Sequence, residues 1–255
     1  MQEPILSVIS PSDLDYLVTQ FALSRLGFGL LFLSTRLSPE ACLKLMRENG
    51  SRTIIQSDSS LAFKLGDRIR EHDSSTAVTR LIGESIYRDP SWDALPSPRL
   101  PDRPAEERQH DTAIVYHSSG STGLPKSIPT SHAKLLASIP PGKGSRAITT
   151  SPLFHAYASK LTINCMISGH MCMYLNNAAI PQTNDGLVEL FEVAQPDVSF
   201  AVPYNLKLLA ESELGIEVLR KCKQVVSSGS QLSDELGNRL VDAGVNIETL
   251  FAGSV

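Results

Sequence analysis

The stretch Tyr116-His117-Ser118-Ser119-Gly120-Ser121-Thr122-Gly123-Leu124-Pro125-Lys126 packs hydroxyls, glycines and one lysine into a short span. Glycines let backbone N–H groups approach and point at a single anion, and Ser and Thr hydroxyls add further donors. Lys126 adds a compact positive charge for the same ligand. That chemistry suits a polyphosphate. The order excludes a Walker A loop, which needs Gly-Lys-[Ser/Thr] opening a helix; here Pro125 precedes Lys126 and Pro129 follows it. Ser119 and Ser121 are not nucleophiles, because the G-x-S-x-G order of the hydrolase elbow is absent. A flexible Ser/Gly linker would share this composition, but the fixed order behind an apolar strand is more specific.

Other candidate groups are scattered. His155 stands apart from the loop, while His117 and His132 flank it and read as structural; His72, His110 and His170 have no partner spacing. Glu189, Glu192 and Asp197 follow helix-surface spacing and read as solvated. Cys42, Cys165, Cys172 and Cys222 form no C-x-x-C pair, so no zinc or dithiol site is expected and small buried apolar residues in a reducing compartment are.

The elements that must position these groups alternate. Pro4–Ile9 predicts a strand, and Ser12 a helix cap, with Asp13 and Asp15 in the first turn and an apolar stripe through Leu14, Leu17, Val18, Phe21 and Leu26, stopped by Gly27. Residues 29–33 predict a strand, Ser38-Pro39-Glu40 a helix start with Gly50 past its end, residues 52–56 a strand and residues 61–70 a helix. Prolines 90, 96, 98, 101 and 104 among many charges mark a surface connector over residues 88–110, with a short helix at 105–109 as the alternative. Beyond it strands are expected at 112–117, 146–150, 170–175, 198–202, 223–227 and 247–251. Helices are expected after Ser131 and at 156–167, 187–194, 203–212 and 234–242. This is an α/β chain of parallel sheets with flanking helices, divided as residues 1–87, a Pro-rich connector 88–110, and residues 111–255 with the loop.

Composition narrows the function classes. The 255 residues carry 23 Lys+Arg against 27 Asp+Glu, a net charge of −4, which argues against a basic nucleic-acid surface. Aromatic content of 6% provides no stacking platform for bases. No apolar run reaches a membrane-spanning length, and the apolar N-terminal stretch is broken at Ser7, so a cytoplasmic, membrane-free protein is expected.

Ser118 to Lys126 resembles the phosphate-binding signature of the adenylate-forming (AMP-binding) enzymes, the acyl- and aryl-CoA ligases and the adenylation domains of nonribosomal peptide synthetases. Ser127 stands where many members have glycine. Further matches follow in the family's order. Pro152-Leu153-Phe154-His155-Ala156-Tyr157-Ala158 is similar to the segment beside the acyl pocket, with Ala158 in place of a glycine. Ser227-Ser228-Gly229-Ser230-Gln231-Leu232 resembles the turn against the adenine, and Phe251-Ala252-Gly253-Ser254-Val255 the Tyr-Gly-x-Thr-Glu motif. In texture, residues 33–40 and 127–132 look most like fungal NRPS-like adenylation domains.

The resemblance implies ATP-dependent activation of a small carboxylic acid as an acyl-adenylate, as part of an NRPS-like adenylation domain in secondary metabolism. A thiol acceptor, carrier-protein phosphopantetheine or CoA, would follow. ATP would be held by Ser118, Ser119, Gly120, Ser121, Thr122, Gly123 and Lys126, with Ser228, Gly229, Ser230 and Ser254 also toward the nucleotide and His155 toward the acid. Mg²⁺ is expected of the family, yet Val255 takes the position of its acidic ligand, and valine has no oxygen donor. The resemblance also implies an incomplete catalytic unit, lacking the C-terminal lobe. The alternative reading is a truncated, catalytically silent homologue that binds nucleotide or a partner at most.

Overall fold

The chain is described from a computed structural model, which covers residues 4–91, 96, 104–118, 124–137, 145–167, 172–174 and 182–250. The first apolar run forms β1 (Ile5–Ile9), largely buried, as a strand covered on both faces must be. Helix α1 (Leu14–Arg25) follows, but its cap is Asp13, whose carboxylate accepts from the Tyr16 N–H at 2.9 Å, and not Ser12 as the sequence suggests. Its buried side chains are Tyr16, Leu17, Thr19 and Gln20, whereas Leu14 is half exposed. Of the expected apolar stripe Leu17 is buried and Val18 and Phe21 are half-buried, while Leu14 and Leu26 are exposed. Gly27, at φ +93°, ends the helix: its N–H donates to Ser24 and that of Phe28 to Leu23, a paired closure that needs a left-handed residue.

Strand β2 (Gly29–Phe32) and helix α2 (Pro39–Glu48) follow. The Ser38 hydroxyl caps α2 by accepting from the Ala41 N–H, and proline sits in the first turn, where its missing donor costs nothing. After β3 (Thr53–Gln56) comes α3 (Ser60–His72), capped by Ser59. Two elements arise that the periodicity does not announce, β4 (Ala77–Arg80) and α4 (Glu84–Tyr87). The short α5 (Ala105–Arg108) realises the helical alternative within the Pro-rich stretch. Then come β5 (Thr112–Ser118), β6 (Lys126–Ser131) and α6 (His132–Ala137).

Among the described residues these strands form one sheet in the order β4-β3-β1-β2-β5-β6. All its pairs are parallel except β5 with β6, which run antiparallel. Ile9, Leu31, Leu33, Leu45, Ile54 and Val115 lie in its core. Compact units divide as Met1–Ser138 and Ile139–Val255. The dividing point thus lies beyond the Pro-rich connector: β5 pairs with β2 through Leu30–Ile114 and Leu31–Val115, so the strand ahead of the glycine-rich loop is built into the first sheet.

The second unit holds β7 (Ala147–Thr149), α7 (Ala156–Ile167), β8 (Cys172–Tyr174), α8 (Asn184–Ala194), β9 (Val198–Ala201), α9 (Pro203–Leu209), α10 (Glu213–Lys221), β10 (Gln224–Ser227), α11 (Asp234–Asp242) and β11 (Ile247–Thr249). The single helix expected over residues 203–212 ends at Leu209. Ser212 instead caps α10, its hydroxyl accepting from the Gly215 N–H at 2.9 Å. Helix α8 ends on Gln195, a non-glycine residue at φ +43° whose N–H donates to Phe191. The sheet order is β11-β10-β9-β7-β8, parallel throughout. Its core includes Ile148, Leu187, Phe191, Leu206, Leu219 and Val225. Among the described residues no helix is long and apolar enough to cross a membrane.

Candidate functional site

In the first unit, β5 and β6 carry the two ends of the glycine-rich loop. Ser118 pairs with Lys126 across the antiparallel ladder, so residues 119–125 join two strand ends held in register. Ser119, Gly120, Ser121, Thr122 and Gly123 lie outside the described residues. Lys126 is exposed and Ser118 half buried. The entry to the loop is tied to the segment just after β2: the backbone N–H of Ser34 donates to His117 Nε2 at 3.3 Å. Accepting there places the proton of the neutral ring on Nδ1 and gives His117 the structural role its sequence position suggests. The exit is tied to α2, where Lys44 Nζ donates to the Pro125 carbonyl at 3.1 Å.

In the second unit, the described candidate residues follow the carboxyl ends of strands of the sheet. His155 follows the carboxyl end of β7 and immediately precedes α7, with its N–H on the Pro152 carbonyl and its ring against Phe154 at 4.6 Å between centroids. It is exposed. Ser228, Gly229 and Ser230 follow the carboxyl end of β10, on the far side of β9 from β7. The Ser228 N–H donates to the Ala201 carbonyl, holding the turn against β9. Gly229 stands at φ +92°, and a Cβ there would lie 3.2 Å from Val202 Cγ1. Both conditions favour glycine. Ser254 and the rest of its motif lie outside the described residues.

The winding of this sheet reverses after β8. The chain runs from β7 to β8 on one side, then crosses to lay β9 on the other. In open parallel sheets ligands bind in the crevice outside the carboxyl ends at such a reversal. Polar side chains missed by sequence reasoning lie there. The Asn205 amide, at the start of α9, donates to the Thr150 hydroxyl just after β7. Asn205 Oδ1 and the Tyr157 hydroxyl are buried with no partner among the described residues. Burial pushes the Tyr157 phenol well up, so it stays a protonated donor, and its ring packs edge-on against Phe200 of β9 at 5.8 Å. A buried polar atom without a partner is costly unless a ligand or water completes it. The signal for Tyr157 was the Pro152–Ala158 segment itself; Asn205 had none, since its partner is distant in sequence.

Among the described residues no three His, Cys, Asp or Glu side chains gather to hold a metal ion. The donors present are hydroxyls, amides, backbone N–H groups and one exposed ammonium, which fit an anion and a polar organic acid better than a cation.

A model of the AMP-binding enzyme family matches residues 2–252. The adenylate-forming reductase stbB of Stachybotrys bisbyi is 27% identical over 249 residues, covering 94% of this chain and 23% of that protein. The carboxylic acid reductase of Neurospora crassa is likewise 27% identical, over 98% of this chain and 25% of the relative. The chain therefore spans about a quarter of the length of these relatives. In structure, the N-terminal subdomain of Klebsiella oxytoca NpsA in complex with 3-hydroxybenzoyl-AMSN matches with a TM-score of 0.77 at 16% identity, over 98% of this chain and 59% of that one. At that identity the likeness establishes the fold.

Proposed function

The chain belongs to the AMP-binding enzyme family, and from that premise we propose that it supplies the nucleotide-binding part of an enzyme that activates a carboxylic acid with ATP. A carboxylate oxygen attacks the α-phosphorus and the bond to the β-phosphate oxygen breaks, giving acyl-AMP and pyrophosphate. A thiol, on a carrier-protein phosphopantetheine or CoA, then takes the acyl group and AMP leaves. An NRPS-like protein of fungal secondary metabolism, akin to the adenylate-forming reductases, is the setting this reading implies.

The protein's part is positioning and charge stabilisation. Loop amides and the hydroxyls of Ser118, Ser119, Ser121 and Thr122 wrap the β- and γ-phosphates, and Lys126 offsets their charge. Ser228, Gly229, Ser230 and Ser254 lie toward the nucleoside. The acid lies near His155, with Tyr157 and Asn205 as candidates to complete its polar groups. Mg²⁺, when bound, would neutralise developing phosphate charge; the described residues offer it no acidic cluster.

The observation that most supports this reading is the pairing of Ser118 with Lys126, which sets the lysine opposite the first hydroxyl of the run. ATP–pyrophosphate exchange with a panel of amino, aryl and keto acids tests it. Lys126→Ala and Thr122→Ala are each expected to lower exchange by at least about tenfold; exchange that survives both sinks the assignment of the loop. A second reading, nucleotide binding without turnover, draws support from Val255 at the acidic position. ATP binding unchanged by chelation of Mg²⁺, with no exchange on any acid, would select it.

A further inference from the structure

Helix α2 braces the chain on both sides of Lys126. Its last turns carry Lys44 and Glu48, one turn apart and 2.7 Å from each other. Lys44 Nζ also donates to the Pro125 carbonyl at 3.1 Å, and Glu48 Oε2 accepts from the Ser127 hydroxyl at 3.2 Å. The residue before Lys126 is therefore held by its carbonyl and the residue after it by its side chain. The helix that holds them is itself fixed, since Leu45 and Met46 on its inner face are fully buried and Ser38 caps its start. Lys44 is occupied by a carboxylate and a carbonyl, which leaves Lys126 as the cation presented at the head of β6. The Lys44 ammonium, and after it the Ser127 hydroxyl, keep the Glu48 carboxyl below its usual range, so the brace is charged at neutral pH.

We infer that Lys44, Glu48 and Ser127 form a positioning network that fixes the main chain at Pro125 and Ser127 and thereby sets Lys126 on the β- and γ-phosphates of ATP. The inference rests on the reading that the glycine-rich loop holds the triphosphate. Ser127 is the position at which this chain departs from the glycine of many family members, so the hydroxyl arm of the brace belongs to this chain's own residues. The network touches no ligand. Its effect should fall on the phosphate tail and spare the nucleoside.

Calorimetric titration of the 255-residue chain with ATP and, separately, with AMP provides the test. Ser127→Ala, Glu48→Ala and Lys44→Met should each weaken ATP about three- to tenfold, the net worth of one ordinary hydrogen bond, and leave AMP unchanged. Ser127→Thr keeps the hydroxyl and should restore ATP binding. The double variant K44E/E48K restores the ion pair but offers no donor to the Pro125 carbonyl; it should melt like the parent and keep the weakened ATP binding. ATP affinity unmoved by the three single variants, or ATP and AMP weakened in parallel, overturns the network. Lys126→Ala separates the two levels. If it lowers the ATP-to-AMP affinity ratio while the brace variants do not, the loop reading stands and the brace falls. If it leaves the ratio unchanged, or the parent binds no ATP, the loop reading falls and the brace with it.

Discussion

Gly229 combines a left-handed backbone with a neighbour 3.2 Å from where a Cβ would stand. Gly229→Ala is expected to cost about 1–2 kcal/mol, the penalty for an L-residue in that region, read as a lowered urea midpoint. An unshifted midpoint would mean that the turn relaxes and that glycine is not required. The cysteines make a second expectation at this scale. Burial pushes the Cys42 thiol up to about 12, and burial followed by the Asp197 carboxylate does the same for Cys222, also to about 12. Both folded-state values lie above the ~8.5 of an unfolded thiol. Their contribution to stability is thus complete below that value and is lost as pH rises toward about 12. The melting temperature should fall as pH climbs past ~8.5, less steeply in Cys42→Ala, and both thiols should resist a disulfide reagent at pH ~8 until the chain unfolds. Rapid labelling of the native protein would contradict this. The loop was legible at this scale because its hydroxyls, glycines and lysine are consecutive. The contact of Thr150 with Asn205 was not, since the two are separated by 55 positions and meet only when β7 and β9 pair.

Most strands and helices could be read because their apolar period and capping residues are local. Ser38, Ser131 and Pro203 each mark a helix start in the sequence and in the fold. What escaped has physical reasons. β4 is almost wholly exposed, so it carries no buried-face pattern, and Pro129 disguises β6, an edge strand that tolerates a missing donor. The break between α9 and α10 was hidden because it is made by side chains. Asn184, at the start of α8, donates to the Leu208 carbonyl at 2.7 Å and accepts from the Ser212 hydroxyl at 3.0 Å. Asn184→Ala should therefore cost about 1–2 kcal/mol and speed hydrogen exchange in the connection between α9 and α10. Unaltered exchange there would show that the helix ends hold themselves.

Across the molecule, two sheets with separate cores share one chain, each within its own compact unit. The fold class was readable from the alternation of elements, but the place of division was not. The Pro-rich stretch looks like a boundary, yet β5 returns beyond it to complete the first sheet, a pairing that only long-range register decides. The second core depends on α8, which contributes Leu187 and Phe191 and ends on Gln195 with φ at +43°. Glutamine gains nothing from that geometry, whereas glycine adopts it freely. Gln195→Gly should raise the melting temperature of the second unit and slow exchange there, with a gain of up to about 1 kcal/mol after the added freedom of the unfolded chain is subtracted. A lower melting temperature would show that the glutamine side chain matters more than its backbone. The bend after α8 is thus a place where a one-residue exchange could make this polypeptide hardier to handle, without touching any group assigned to nucleotide or acid.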